Sequence, residues 1–188
     1  MEDLRRRGLD VVLVLDATSS MARVIQATKR RIVAVVERLR RVVPDLRLRV
    51  VAFRDTGDLF VTIASPLTHD TRLLEDFLAG VPADGGGDAP EAVLAGVREA
   101  ISGTPWREKS HRVVLLFGDA PPHEREMALL EATVKEFQGT VHAVDASSYG
   151  LGVGGSGKRP RSARSQPGAG APSCASGPIW TSCAPSSS

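Results

Sequence analysis

Cysteine is almost missing from this chain of 188 residues: Cys174 and Cys183 are the two it has. A disulfide between them would close a small loop late in the chain and stabilise little of a core. Two cysteines also fall short of the four ligands a structural zinc site needs. Long apolar runs are missing too. The stretch Val11 to Leu15 lies between a charged opening, Met1 to Gly8, and Asp16. That excludes the apolar segment of a secretory leader and the about 20 residues of a membrane-spanning helix, so a cytoplasmic protein with no membrane span is expected. Aromatic residues make up only 4% of the chain, and none interleaves the basic set Lys29, Arg30, Arg31, Arg38 and Arg40. Such a run reads as a solvated helix face, not as a nucleic-acid surface.

Acidic residues are missing from the end of the chain. Residues 147–188 hold 11 Ser, 8 Gly and 5 Pro but no Asp or Glu, a composition that cannot bury enough apolar surface to offset its ordering entropy and predicts a disordered tail. Four of the 24 basic residues lie there, leaving 20 against 22 acids in residues 1–146, so the net charge of +2 comes from the tail. No nucleic-acid function follows from it. The tail's Gly152 to Lys158 run spells most of a phosphate-binding loop, yet Arg159 stands where the Mg2+-binding hydroxyl belongs and Pro160 opens no helical pattern. No nucleotide site is expected there, and Trp180 is a lone apolar residue in a polar setting.

What remains is one domain over residues 9–146, preceded by a lead-in of residues 1–8. Its 42% hydrophobic content, taken over the whole chain, is ordinary for a globular protein. Val24, Ile25, Thr28, Ile32, Val35, Val36, Leu39 and Val42 recur at steps of three and four, which predicts a helix over 21–43. Leu46 to Phe53 and Leu59 to Ile63 read as strands joined through Asp55-Thr56-Gly57-Asp58. Helices are expected around Leu73 to Val81, from Pro90 to about Ser102, and over Met127, Leu130, Val134 and Phe137, with strands at Arg112 to Phe117 and Val141 to Val144. Strands alternating with helices predict an α/β, doubly wound, mostly parallel sheet with one antiparallel edge strand and helices on both faces.

The informative segment is Asp16-Ala17-Thr18-Ser19-Ser20-Met21, which follows the apolar strand Val11 to Leu15 directly. A buried parallel strand delivers its carboxyl end to the crevice where ligands bind. One carboxylate and two hydroxyls there are oxygen donors suited to a hard cation such as Mg2+. Two later segments also bring acids to strand or loop ends: Gly85-Gly86-Gly87-Asp88-Ala89-Pro90-Glu91, and Asp119 after the strand Val113 to Phe117, with His123 close behind. Each acid taken singly also reads as a helix cap.

Together, in this order and at these intervals, the three segments resemble the loops of the metal-ion-dependent adhesion site of von Willebrand factor type A domains. With Phe53-Arg54-Asp55 included, the chain looks most similar to the type A domains attached to some alpha-kinases and to related bacterial proteins, over roughly residues 9 to 146. The resemblance implies a Rossmann-like fold, Mg2+ or Mn2+ as the bound ion, and Asp16, Thr18, Ser20, Glu91 and Asp119 as the residues around it. Asp-Ala-Pro-Glu looks like the second loop of the integrin β-subunit version and carries the ligand role onto Glu91. Where the more common kind has a Thr this loop has none, so Asp88 and Glu91 both stand as its candidate acid.

The function implied is a non-catalytic, metal-dependent protein-binding module whose partner supplies an Asp or Glu carboxylate. His123 is a candidate contact for that partner, or a polar residue at a helix start. The rival is a Mg2+-dependent phosphohydrolase with Asp16 as nucleophile, but Thr18 stands where haloacid-dehalogenase-type enzymes place their second Asp. A scaffold of the same fold that binds no metal is a third reading. Members of the family continue past the equivalent of Val144 with a further helix, whereas the periodic pattern here stops near Asp145. The expectation is a missing last element, an apolar flank and an unpaired sheet edge.

Overall fold

The computed structural model describes residues 2–83 and 92–146. The tail for which composition predicts disorder, with its glycine run, lies outside them, and so do Asp88 and Glu91. The strand β1, Leu9–Asp16, is buried at every position after Leu9, as its run of branched residues requires. It pairs in parallel with β2, Leu46–Phe53, and with β4, His111–Gly118, so that Val12 faces Arg49 on one side and Val114 on the other. Next to β4 runs β5, Thr140–Asp145, also parallel, while β3, Thr62–Ala64, is antiparallel to β2. The sheet order is β3-β2-β1-β4-β5, the mostly parallel arrangement with one antiparallel edge that the sequence predicts.

Alternate side chains serve opposite faces of the sheet. Val12, Val14, Val51, Phe53, Val114 and Leu116 form one core beneath α4, Val93–Ser102, and α5, Met127–Glu136. Val11, Leu13, Leu15, Leu48 and Val50 form the other beneath α2, Ala22–Val42, and α3, Thr71–Gly80. The face of α2 buries Ile25, Ile32 and Val36 but leaves Val35 and Leu39 exposed. On the same side of the sheet Val113, Leu115 and Phe117 are half-buried and Val144 is exposed. No helix among the described residues is long and apolar enough to cross a membrane.

Two elements differ from expectation. The lead-in forms a helix, α1, Glu2–Arg7, which buries nothing and has acids in its first turn and arginines in its last, the order that complements a helix dipole. Lacking apolar periodicity, it leaves no trace in a search for amphipathic faces. Gly8 ends it at φ +77° with its N–H donating to the Leu4 carbonyl at 2.9 Å, a glycine-terminated helix end. The strand expected at Leu59 to Ile63 forms instead at Thr62–Ala64. The turn reaches further than its four polar residues suggest. Gly57 sits at φ +109° and Leu59 is 85% exposed, and ladder pairing resumes only where Thr62 meets Phe53.

The seat of α4 on the sheet depends on Gly96. A Cβ there would lie 2.7 Å from Phe53 Cδ1 and 3.1 Å from Val14 Cγ1, and Phe53 is fully buried in the core. Gly96→Ala is therefore expected to destabilise the domain by about 1–3 kcal/mol as an overpacked core, although alanine is the better helix former. Urea denaturation monitored by circular dichroism checks the sign.

Candidate metal centre

The candidate site lies at the carboxyl ends of β1 and β4, where open parallel sheets bind ligands. Asp16 closes β1 and is 1% exposed; Thr18 is 2% exposed. The chain leaves the strand with the Ala17 N–H donating to the Phe53 carbonyl at 2.8 Å. It then enters a single 3-10 turn, Ser19–Met21, anchored by the buried Met21. That turn folds both hydroxyls back toward the carboxylate. Thr18 donates twice to Asp16 Oδ1, from its backbone N–H at 2.9 Å and its hydroxyl at 2.6 Å, and Thr18 Oγ1 lies 3.1 Å from Ser20 Oγ.

The second oxygen of Asp16 is left over. Oδ2 is buried and has no hydrogen-bond partner among the described residues. Gly118, the last residue of β4, passes beside it: a Cβ on Gly118 would be 3.8 Å from that oxygen. Asp119 follows at once and is half-buried. Burial pushes the Asp16 carboxyl above its ordinary range, the negative charge of Asp119 pushes the same way, and the two Thr18 hydrogen bonds oppose both. A buried carboxylate oxygen without a donor, two hydroxyls beside it and a second carboxylate across the strand gap form a donor set that fits a hard divalent cation.

Of the five residues expected around the ion, Thr18 contacts both Asp16 and Ser20, and Asp119, directly after β4, is near enough for its charge to act on Asp16. The place of Glu91, and of its alternative Asp88, is outside the described residues. Among the described residues no three His, Cys, Asp or Glu side chains converge; the acids there are the pair Asp16 and Asp119.

His123 is 19% exposed at its side chain and its Nε2 lies 3.0 Å from Asp55 Oδ1. It thereby joins the segment after β4 to the turn after β2. Burial works to raise the Asp55 carboxyl, but the His123 contact, the Thr56 amide and the Arg125 charge outweigh it and hold it below its ordinary range.

Sequence reasoning gave no role to Arg54. It is 2% exposed, donates from Nη2 to the Pro82 carbonyl at 2.6 Å and stacks 4.6 Å over the Phe60 ring, so it ties the end of β2 to the approach of the second loop. An Arg directly after a buried strand was the available signal.

These loops sit on a fold with known relatives. Residues 10–164 match the family model described as von Willebrand factor A domain. The chain belongs to the von Willebrand factor A domain family. Among curated proteins it is similar to the alpha-protein kinase vwkA of Dictyostelium discoideum, 30% identical over 122 residues, covering 63% of this chain and 19% of that protein. It is also similar to an ariadne-like RING finger protein of Acanthamoeba polyphaga mimivirus, 27% identical over 120 residues, covering 64% of this chain and 12% of that protein. The chain thus spans less than a fifth of the length of either relative.

Among solved structures, BatB from Bacteroides thetaiotaomicron superposes with a TM-score of 0.57 at 18% identity, covering 73% of this chain and 66% of that one. An aerotolerance-related membrane protein from Bacteroides fragilis superposes at 0.54 and 18% identity, covering 73% and 67%. At such identities these likenesses establish the type A fold and nothing beyond it. Membership of the family supports a protein-interaction module in general.

Proposed function

We propose that this type A domain is a non-catalytic, metal-dependent protein-binding module. Asp16, Thr18, Ser20 and Asp119, joined by Glu91 from the second loop, would hold Mg2+ or Mn2+. Bound there, the ion supplies a concentrated positive charge with a position left open for a carboxylate of the partner protein. The observation that carries this reading is the buried, unpartnered Oδ2 of Asp16 next to Asp119. A carboxylate oxygen removed from water without a donor costs free energy unless a cation meets it.

The chain's own residues prepare the site. Thr18 fixes the Asp16 carboxylate by occupying Oδ1, which leaves Oδ2 free to face the ion. The 3-10 turn holds the Ser20 hydroxyl within reach of Thr18, and Gly118 keeps β4 close enough for Asp119 to share the charge. The hydrolytic alternative is disfavoured by the same geometry, because the position two residues after Asp16 carries a hydroxyl committed to Asp16 Oδ1 and not a second carboxylate.

A Mn2+ titration of the full chain, with free Mn2+ read by electron paramagnetic resonance, tests the proposal. One Mn2+ retained per chain, competed by Mg2+ and lost in Asp119→Ala, is the expected result. No retained Mn2+, or equal retention in the variant, would overturn it.

A further inference from the structure

A second concave surface lies at the other end of the sheet. Between α4 and α5 a groove of about 500 Å³ opens to solvent, in the range of ligand-binding clefts. Its apolar part comes from Ile101, Trp106, Leu129 and Phe137, and its cationic part from Arg98 and Arg112. The floor is rigid. Trp106 packs on Phe137 with ring centroids 5.3 Å apart, and its indole Nε1 donates to the Ile101 carbonyl at 2.8 Å. Leu129 is 45% exposed. Arg112 is the second residue of β4, and Gly118 at the far end of that strand borders Asp16. Six residues of strand make the separation about 20 Å, so the groove and the candidate metal centre are distinct.

The charges decide what fits. Among the described residues Arg98, on the exposed side of α4, makes no ion pair, and the guanidinium of Arg112 donates to the Arg107 carbonyl at 3.2 Å and meets no carboxylate. Glu136 is the one acid on the lining, which leaves the groove net positive. Two arginines flanking an aromatic floor are the side of an interface that receives carboxylates beside an apolar anchor. The tail of this same chain, residues 147–188, has no Asp or Glu and four basic residues, the wrong sign for this surface.

We propose that the α4–α5 groove is a second binding site, for an acidic peptide segment that lays an apolar side chain on Trp106, Phe137 and Leu129 and sets its carboxylates on Arg98 and Arg112. The site needs no metal.

The chain has two tryptophans, Trp106 and Trp180, so Trp180→Phe in the full chain makes Trp106 the single fluorescent reporter on the groove floor. The probe is the blocked hexapeptide Glu-Glu-Leu-Phe-Glu-Glu, with Lys-Lys-Leu-Phe-Lys-Lys as its charge-reversed control. The acidic peptide is expected to change Trp106 emission saturably, at least tenfold more tightly than the basic one. Binding is expected to weaken about tenfold in Arg98→Glu, to weaken with added salt, and to be unchanged by EDTA. Because Arg98 is exposed, the variant is expected to keep the parent's melting temperature. The proposal is overturned if neither peptide saturates, if both bind alike, or if Arg98→Glu binds as well as its parent. It is equally overturned if the small anion 1-anilinonaphthalene-8-sulfonate binds while the acidic peptide does not. Failure of metal binding elsewhere would leave the peptide titration unaffected.

Discussion

Asp10→Ala is expected to be among the most destabilising single changes in the domain, at about 3 kcal/mol, the lower end of the range for breaking a buried charge pair. Asp10 is fully buried at the amino-terminal end of β1. Its Oδ1 accepts from Arg107 Nε at 2.8 Å and Nη2 at 2.7 Å, and its Oδ2 accepts from the Arg107 backbone N–H at 3.0 Å and the Ser110 hydroxyl at 2.7 Å. Alanine would leave the Arg107 guanidinium partly buried with Asp45 as its remaining carboxylate and would take the acceptor from the Arg107 backbone N–H and from the Ser110 hydroxyl, which keeps the Arg107 carbonyl at 3.1 Å. The surviving Asp45 contact is why the lower end of the range applies. Urea unfolding of the full chain checks the loss. The milder Asp10→Asn, which keeps an acceptor, is expected to fall between the two proteins.

Asp16→Asn is expected to act in the opposite sense when metal is absent. In EDTA, above its folded pKa, the Asp16 carboxylate is buried with no donor to Oδ2 among the described residues and feels the charge of Asp119. Replacing the carboxylate by a neutral amide removes the buried charge and its repulsion by Asp119, while the amide NH2 at the Oδ2 position still needs an acceptor, so the metal-free domain is expected to gain about 1 kcal/mol, or a few degrees of melting temperature for a domain of this size. The pH dependence follows from the raised Asp16 carboxyl. Because the folded state binds this proton more readily than the unfolded state, the cost is fully present above the folded pKa. It is relieved as pH falls through that value toward the unfolded one. Asp55 and Asp3, both held below their ordinary values, contribute with the opposite sign, but equally in both proteins. The difference between wild type and Asp16→Asn in EDTA is therefore expected to shrink as pH is lowered from 7 toward 4. Paired thermal melts across that range measure it.

Legibility from sequence followed the range of the interactions. The strand β1 and the helix α2 were readable because their burial is written in local periodicity, and the contacts of Asp16 with Thr18 and of Thr18 with Ser20 because alternating oxygen side chains directly after a strand are a local pattern. Asp119 comes near Asp16 through the parallel pairing of β1 with β4, a neighbour relation that no local pattern signals. The Asp10–Arg107 pair, by contrast, joins positions 97 apart. Nothing near either residue signals it. The buried Arg49 is the same case: from the middle of β2 it reaches Glu99 at 2.7 Å and the Thr104 hydroxyl at 2.8 Å. The strand β3 was misplaced by a few residues because its turn is set by backbone geometry at Gly57, and α1 escaped notice because it buries nothing. His123, read from sequence as a partner contact or a polar residue at a helix start, does stand at the start of the helical turn Glu124–Glu126, and its bond to Asp55 ties two of the loops together.

The thermal melt of the full chain in EDTA and in millimolar Mg2+, run beside Asp16→Asn, tests the metal-dependent reading most directly. A ligand at 100 times its dissociation constant adds about 2.7 kcal/mol. The wild type is therefore expected to melt several degrees higher in Mg2+ than in EDTA, whereas the variant melts above wild type in EDTA and does not respond to Mg2+. A cooperative wild-type melt that is the same in both conditions, or a variant that gains as much from Mg2+ as the wild type does, would contradict it.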